Sequence, residues 1–380
     1  MNELLRDEIY DQPRAIRDSL PRLRQQFSRL NFSTSRYQRV FLGGCGDGAI
    51  APLAMKMAFQ SHLTLDITPL PAMEISQYTR LRATDFVVAL SISGKVRRIV
   101  EAAQTARAAG ASVMAITGNE LSPLAQNSNI VIEMPILATT IQTPHAINFL
   151  VSLLALSTLL EKMAGKSFME LDQLPEIIQA TINELVEPCI QAAKQIAKAD
   201  VFYFLGAGPH WGMACYGAAK FWSAGGMRAF AFELEDFAHG AHLTLSPGDP
   251  VIVLALKGRS LVRAVEIVDG LAKLGSQVYV ITNKPESFSA VPVLCIPAIS
   301  EKKQNNNPFV SQEQSEEMWM PFISAIPLQL LCMEVATNKG YDVIEKTGRI
   351  ENPAIYDRIH REWAYESTLQ VRDSSKDMIS

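Results

Sequence analysis

The 380-residue sequence lacks the cysteine patterns that hold disulfide frameworks or structural zinc ions. Its five cysteines are scattered, odd in number and never part of a C-x-x-C pair: Cys45, Cys189, Cys215, Cys295 and Cys332. We therefore expect neither a disulfide nor a metal site. Isolated thiols fit a reducing compartment, which predicts a cytoplasmic protein.

An excess of positive charge and a membrane segment are also missing. Lys and Arg number 35 against 39 Asp and Glu, for a net charge of −4. Because nucleic acids are bound through clustered basic residues, we expect no nucleic-acid partner. Residues 1–24 are charged throughout and lack the apolar stretch of a signal peptide. The longest apolar run, 146–160, falls short of the about 20 residues of a membrane span and predicts a buried helix.

What the sequence does contain is a long internal repeat. The stretch RVFLGGCGDGAIAPLAMKMAF, from Arg39, resembles VFYFLGAGPHWGMACYGAAKFW, from Val201. Downstream, DFVVALSISGKVRRIVEAAQTARAAG resembles DPVIVLALKGRSLVRAVEIVDGLAKLG. Each stretch is an apolar strand, a turn and a helix, and such alternation is typical of βαβ units with parallel strands. The sequence therefore predicts an α/β protein of two doubly wound, parallel-sheet halves.

The repeat also gives residue correspondences and domain bounds. Gly44 corresponds to Gly206 and Gly94 to Gly258, at separations of 162 and 164 residues. A chain of this length exceeds the usual size of one core, so two domains are expected. We predict an N-terminal helical segment, the first half, a helical linker, the second half and a C-terminal helical tail, at residues 1–30, 31–165, 166–199, 200–340 and 341–380.

Two turns of the first half are candidate anion sites, since ligands of open parallel sheets bind beyond the carboxyl ends of the strands. The first turn contains Gly44, Cys45, Gly46 and Asp47. Its glycines let backbone N–H groups approach an anion, although many such turns are only tight connections. The turn does not complete G-x-G-x-x-G, because position 49 is Ala, so a dinucleotide cofactor is not expected.

The second turn offers two hydroxyls, Ser91 and Ser93, followed by Lys95, Arg97 and Arg98. It is either a serine cap with a solvated basic turn or an anion site. Basic residues oppose the positive end of a helix dipole, which favours a bound anion. The equivalent turn of the second half, 256–258, lacks the serines, so we expect the anion in the first half.

A cluster of acids and histidines follows in the second half: Glu233, Glu235, Asp236, His239 and His242. Such a density of titratable groups suits proton transfer at a carbon acid. It can also be a structural loop of solvated acids. A metal site is not favoured, because His-Gly-Ala-His is not a usual ligand spacing.

Four separated motifs give the chain a family resemblance: EIYDQPRAIRDSL from Glu8, SISG at 91–94, the stretch 206–240, and PLQLLCMEVATNKGYDV from Pro327. Together they resemble tandem sugar isomerase (SIS) domains, notably the isomerase region of glucosamine-6-phosphate synthase, and fructosamine-phosphate deglycases. The resemblance implies an aldose–ketose isomerase or a deglycase that needs no metal or organic cofactor. It also implies a homodimer or higher oligomer.

The resemblance assigns roles to several residues. Ser91 and Ser93 match phosphate-binding serines, Lys220 matches a lysine that lines the site, and His239 matches a histidine that opens the sugar ring of a neighbouring subunit. Lys346, in the C-terminal segment, is a further candidate for substrate binding.

The chain also departs from the family pattern. Ser223 stands where the family has its catalytic glutamate, and Glu351 lies near the position of its imine-forming lysine. Gly48 and Val96 replace two phosphate-binding hydroxyls, and Asp47 adds a negative charge. Each lost hydrogen bond to a charged group is worth about 1.5–3 kcal/mol. Either Lys95 and its neighbours compensate, or the anion is not an ordinary phosphate.

These residues predict an isomerase or deglycase that acts on a small anionic sugar through an enediol-type intermediate. Glu235 or Glu233 would replace the missing glutamate and His239 would open the ring. A sulfonated sugar is an alternative substrate, and a non-catalytic sugar-phosphate sensor is the alternative function. The sequence starts at the isomerase-like opening, so glutamine-dependent amidotransfer is not expected.

Overall fold

The computed structural model describes residues 2–31, 33–136, 145–299 and 316–343. Each half forms one five-stranded parallel sheet. The first sheet contains β1 (Arg39–Gly44), β2 (Asp66–Pro71), β3 (Asp85–Leu90), β4 (Ser112–Thr117) and β5 (Ile130–Glu133). The second contains β6 (Val201–Gly206), β7 (Arg228–Glu233), β8 (Pro250–Leu254), β9 (Gln277–Thr282) and β10 (Val293–Cys295).

The strand order confirms the predicted repeat and fold class. The order is β2-β1-β3-β4-β5 in the first sheet and β7-β6-β8-β9-β10 in the second, so each strand has its counterpart at the same place. The central strands β3 and β8 are buried along their whole length. Strands that are covered on both faces read as continuous apolar runs, as DFVVAL and PVIVL do.

Helices cover the sheets and connect the halves. They are α1 (Glu3–Ser28), α2 (Asp47–His62), α3 (Arg97–Ala108), α4 (Pro123–Gln126), α5 (Ala146–Ala164), α6 (Glu170–Ile196), α7 (Pro209–Ser223), α8 (Leu234–Ala238), α9 (Leu261–Lys273) and α10 (Met320–Asn338). Shorter turns of 3-10 or π type lie at Thr34–Arg36, Glu74–Tyr78, Ala241–Thr244 and Pro285–Ser287. The helix α6 lies within the predicted linker. The predicted domain bounds stay a prediction, and nearly all of the predicted tail, including Lys346, lies outside the described residues.

One hydrophobic core runs through both halves. Phe149 of α5 stacks on Tyr216 of α7, with ring centroids 3.7 Å apart. Beside them the buried amide of Gln12 donates to Gln329 of α10, and Gln329 donates to the hydroxyl of Tyr216. Because buried polar groups need partners, this chain of hydrogen bonds fixes how α1, α7 and α10 pack.

Two of the core helices, α5 and α10, are long and apolar enough to cross a membrane by length and composition alone. However, 83% and 89% of their most apolar windows are buried inside the protein. Helices in the core of a folded domain show such burial. Length and composition alone are therefore weak evidence that α5 and α10 cross a membrane. The buried helix predicted for 146–160 is confirmed.

Candidate functional site

The two predicted anion turns come together at the carboxyl edge of the first sheet. Gly44, the last residue of β1, pairs in register with Leu90, the last residue of β3. The chain leaves β1 toward β2 on one side, and β3 lies on the other side. This is the point where the strand order reverses, and open α/β sheets bind ligands there.

Glycine is required where β1 turns into α2. A Cβ atom on Gly44 would lie 2.4 Å from the carbonyl oxygen of Leu90 and 2.8 Å from the backbone of Gly48. Gly46 precedes the helix with φ of +55°, in the region that side chains rarely adopt. The absence of side chains therefore brings the first turn of α2 close to the end of β3.

Asp47, the first residue of α2, forms an ion pair with the second half of the chain. Its Oδ2 lies 2.8 Å from Nζ of Lys220 on α7, and the Lys220 side chain is only 5% exposed. The same ammonium lies 4.9 Å from the centre of the Tyr216 ring. The acid that departs from the family pattern thus pairs with the lysine that the resemblance assigned to the site.

The serine turn after β3 is held in shape by its own hydroxyls. Ser91 Oγ accepts a hydrogen bond from the amide of Gly94, and Ser93 Oγ accepts one from the amide of Lys95, both at 3.2 Å. Because a hydroxyl accepts and donates at once, each serine keeps its proton for an anion. Gly94 adopts a φ of +63°, and a Cβ there would lie 2.1 Å from Ser122 Oγ. Lys95 has no ion-pair partner within the described residues.

The arginines that follow this turn share one carboxylate of α3. Arg97 and Arg98 both pair with Glu101, at 2.8 and 2.6 Å. One carboxylate offsets only one of the two guanidinium charges, so the first turn of α3 keeps a net positive charge. The anion site that the sequence predicts at this turn stays a prediction.

A cleft of about 600 Å3 opens beside the glycine turn. Its lining includes Gly44, Cys45 and Gly46, but Asp47, Ser91, Ser93 and Lys95 are not part of it. The rest comes from Ala49 and Ile50, the end of β2, α3 and the second half: Pro71, Ala72, Met73, Arg98, Cys215, Trp222, Phe230 and Ala231. Sequence reasoning missed Cys215, Trp222, Phe230 and Ala231, because the packing of α7 and β7 brings them to the first half. Trp222 and Phe230 are 54% and 48% exposed.

Two acids of the cluster, Glu233 and Glu235, make hydrogen bonds that stabilise the second half. Glu233 Oε2 accepts hydrogen bonds from the amides of Glu235 and Asp236, at 2.7 and 3.2 Å, and so caps α8. Glu235 is held by Arg263, whose hydrogen bond lowers the pKa of that carboxyl. A general base at neutral pH needs the opposite shift, so Glu235 is not poised as a base in this arrangement, and the Glu233 carboxylate is engaged in the cap.

His239 follows α8 and is largely solvent-exposed, with 77% of its side chain accessible. Its Nδ1 lies 2.8 Å from the carbonyl oxygen of Glu235, so Nδ1 is the donor in the tautomer that satisfies this bond, and Nε2 is left for a ligand. The helix α8 packs on β6, β7 and α9 of its own half. This exposed position is compatible with contact between His239 and a sugar bound by a neighbouring subunit. That contact stays a prediction. The described residues contain no group of side chains suited to a metal ion.

Ser223, at the position of the family's catalytic glutamate, is engaged locally. Its hydroxyl lies 3.0 Å from the carbonyl oxygens of both Ala219 and Lys220 at the end of α7. The hydroxyl thus donates to carbonyl oxygens of the last turn of α7. A hydroxyl in this position cannot act as the base that removes a proton from carbon. Lys346 and Glu351 lie outside the described residues.

The comparisons with known proteins agree with this architecture. The sequence matches the SIS domain family over residues 34–162 and 195–338, and the chain therefore belongs to that family. It is 24% identical over 345 residues to the isomerizing glutamine–fructose-6-phosphate aminotransferase of Pyrobaculum aerophilum, covering 88% of this chain and 54% of that protein. The Neisseria meningitidis serogroup B enzyme of the same name is 26% identical, covering 90% and 57%. The chain thus spans about half the length of these relatives.

Solved structures share the fold. The C-terminal domain of the Francisella tularensis glucosamine-fructose-6-phosphate aminotransferase superposes with a TM-score of 0.75 at 18% identity, covering 89% of this chain and 96% of that one. Tagatose-6-phosphate ketose/aldose isomerase from Escherichia coli gives 0.72 at 19% identity, covering 92% and 96%. Glucosamine-6-phosphate deaminase from Thermotoga maritima gives 0.64 at 18% identity, covering 87% and 96%.

Proposed function

We propose that this SIS protein is an aldose–ketose isomerase or a deglycase for a small sugar that carries an anionic group at its far end. One observation carries the proposal: the glycine turn and the serine turn meet at the β1/β3 switch point. There, Ser91 and Ser93 follow the end of β3, and the ammonium of Lys95 has no ion-pair partner within the described residues. The names of the relatives, which act on hexose phosphates, support the same substrate class.

The isomerisation needs only proton transfers. The anomeric hydroxyl loses its proton, the ring C–O bond breaks, and the ring oxygen is protonated to give the open carbonyl form. A base then removes the proton from C2 while the carbonyl oxygen at C1 gains one, which gives an enediol. The hydroxyl at C2 next loses its proton and C1 gains one, which gives the ketose. In a deglycase, water additionally cleaves the C–N bond and the amine leaves. Each step conserves electrons, so no redox cofactor takes part. We assign ring opening to His239, because its Nε2 is available and an imidazole can both donate and accept a proton.

The charge at the site bears on which anion is bound. Asp47 offsets the charge of Lys220 at 2.8 Å, and Glu101 offsets one of the two charges of Arg97 and Arg98. The second guanidinium and Lys95 leave the serine turn with two net positive charges. This charge suits the dianion of a sugar phosphate, and a sulfonated sugar, a monoanion, stays the alternative substrate.

We also propose that the active protein is a homodimer or higher oligomer. His239 is exposed on the second half, while the anion turns belong to the first. The apolar rings of Trp222 and Phe230 are exposed beside the glycine turn. A second subunit would cover these rings and supply its histidine. A monodisperse monomer at micromolar concentration in light scattering contradicts this assembly.

A non-catalytic sugar sensor is the second candidate, and it has its own support. Ser223 is bonded to its own helix, Glu233 caps α8, and Glu235 is bound to Arg263. Neither Glu233 nor Glu235 is thus free to act as the base. A sensor would keep the anion turns and dispense with the proton transfer.

The two functions are separated by exchange at the sugar carbon. Ligands are first found among aldose and ketose phosphates, sulfosugars and fructosamine phosphates by the rise in Tm. A ligand at a hundred times its dissociation constant stabilises the fold by about 2.7 kcal/mol. Each ligand is then incubated in deuterated water. Incorporation at C2 of an aldose, or at C1 of a ketose or fructosamine, supports the enediol-type chemistry. Its absence with every sugar that binds overturns the enzyme and leaves the sensor. Ser93→Asp serves as the control that lacks the anion site.

A further inference from the structure

The second half carries a buried carboxylate at the place equivalent to the candidate anion site of the first. Gly258 follows β8 and corresponds to Gly94 of the serine turn. The carboxyl group of Glu317 lies directly against it, because a Cβ atom on Gly258 would lie 2.3 Å from its Cδ and 2.5 and 2.6 Å from its two oxygens. Glu317 is only 3% exposed.

The segment that carries this carboxylate is fastened to the carboxyl edge of the second sheet. Glu316 accepts a hydrogen bond from Asn283 Nδ2 at 3.1 Å and lies 3.8 Å from Nζ of Lys257. The amide of Lys257 donates to Asn283 Oδ1 at 2.8 Å. The turns that follow β8 and β9 therefore hold the residues just before α10.

A buried histidine faces the same carboxylate. His210 lies in the first turn of α7, at the position that corresponds to Gly48 of α2, and is completely buried. Its Nε2 lies 3.9 Å from Glu317 Oε1, which is too far for a hydrogen bond. Neither ring nitrogen has a hydrogen-bond partner in the described part of the chain. The hydroxyl of Ser260, on the same turn as Gly258, is also buried without such a partner there.

We propose that the second half retains an anion-binding position and that the chain's own Glu317 carboxylate fills it. The turn after β8 and the start of α7 lie against this carboxylate, as the turns of the first half would lie against an external anion. The cation Lys257 lies 3.8 Å from the adjacent Glu316. A buried carboxylate needs such compensation, since its desolvation is costly. Each chain therefore takes one external anion, in the first half, and the second half is held in shape by an internal one.

This assignment predicts which molecule fits when the side chain is removed. Replacement of Glu317 by Ala deletes Cγ and the carboxyl group and leaves a gap of that size against Gly258. Acetate consists of the same two carbons and two oxygens. Acetate is therefore the probe, and its site does not depend on the sugar proposed for the first half.

The test compares the Tm of the full chain in acetate and in chloride at equal ionic strength. For Glu317→Ala we expect a rise of about 2–4 °C in acetate, equivalent to binding at several times the dissociation constant. The wild type and Glu317→Gln, which keep the position filled, show no such difference. An equal effect of acetate on all three proteins, or none on Glu317→Ala, overturns the proposal. Should Glu317→Ala fold poorly, its refolding yield in acetate against chloride gives the same decision.

A second measurement uses the missing side chain of Gly258. Its φ lies outside the left-handed region, so Ala fits the backbone and meets only the carboxylate. We expect Gly258→Ala to lower the Tm of the wild type by at least about 3 °C and to be nearly neutral in Glu317→Ala. Additive effects of the two substitutions would show that the carboxylate does not occupy this position.

Discussion

Asp47 and Lys220 are 173 residues apart in sequence, yet their carboxylate and ammonium lie 2.8 Å apart. The pair connects the first turn of α2 in one half with the end of α7 in the other. It lies beside the glycine turn of the candidate site and joins the two halves.

This ion pair is expected to contribute measurably to stability. Asp47→Asn leaves a buried ammonium without the charge opposite it, and we expect a coupling free energy of about 1–3 kcal/mol in a double-mutant cycle with Lys220→Met. The control is Asp269 with Lys273, which lie 2.5 Å apart but are 57% and 74% exposed. Exposed pairs contribute below about 1 kcal/mol. Equal coupling for the two pairs, measured by denaturant unfolding, would contradict the prediction.

The serine turn depends on Gly94 for two separate reasons, which a matched control separates. Gly94→Ala must adopt a φ of +63° and also displace Ser122, whose Oγ would be 2.1 Å away. Gly165→Ala must adopt a φ of +66° but meets nothing within 4 Å. Both should lose about 1 kcal/mol for the backbone, and Gly94→Ala about 1–3 kcal/mol more. Only Gly94→Ala should also abolish the rise in Tm caused by anionic sugars.

His210 should make stability depend on pH in one direction. Burial lowers the pKa of its imidazole from the ordinary 6.5 to about 4. As the pH falls through 6.5, the imidazole becomes protonated in the unfolded chain, but in the folded chain it stays neutral until about pH 4. The free energy of unfolding therefore decreases on acidification from about pH 6.5 to 4. The loss is about 3 kcal/mol at most. The free energy of unfolding of His210→Phe, measured with urea, should not show this decrease on acidification. The prediction is refuted if the free energies of unfolding of the variant and the wild type change equally from pH 7 to 4.5.

His239 and Glu235 are expected to affect turnover rather than binding. If ring opening uses the imidazole, His239→Ala lowers the rate of C2 exchange by about 10²–10⁴-fold and leaves the ligand-induced rise in Tm unchanged. Glu235→Gln should do the same if the carboxylate leaves Arg263 to act as the base. Glu233→Gln keeps an acceptor for the α8 amides and is the control with near-normal exchange. Equal exchange in wild type and His239→Ala would remove the histidine from the mechanism.

The sequence predicted the parts of this protein that depend on local patterns. The repeated strand, turn and helix appear in both halves with the same strand order, because apolar runs and helical periodicity are properties of short segments. The turns at Gly44 and Ser91 were found for the same reason. Their glycines and hydroxyls signal a turn wherever it stands in a fold.

What only the tertiary structure decided is which distant residues meet. Arg263 holds Glu235 across 28 residues, Asp47 finds Lys220, and Glu317 reaches the glycine that corresponds to Gly94. No periodicity or local pattern in the sequence indicates these contacts, because each depends on how distant elements pack against one another. The sequence alone therefore determined the architecture and the candidate anion turns. The charge at those turns and the role of the acidic residues were decided by long-range packing.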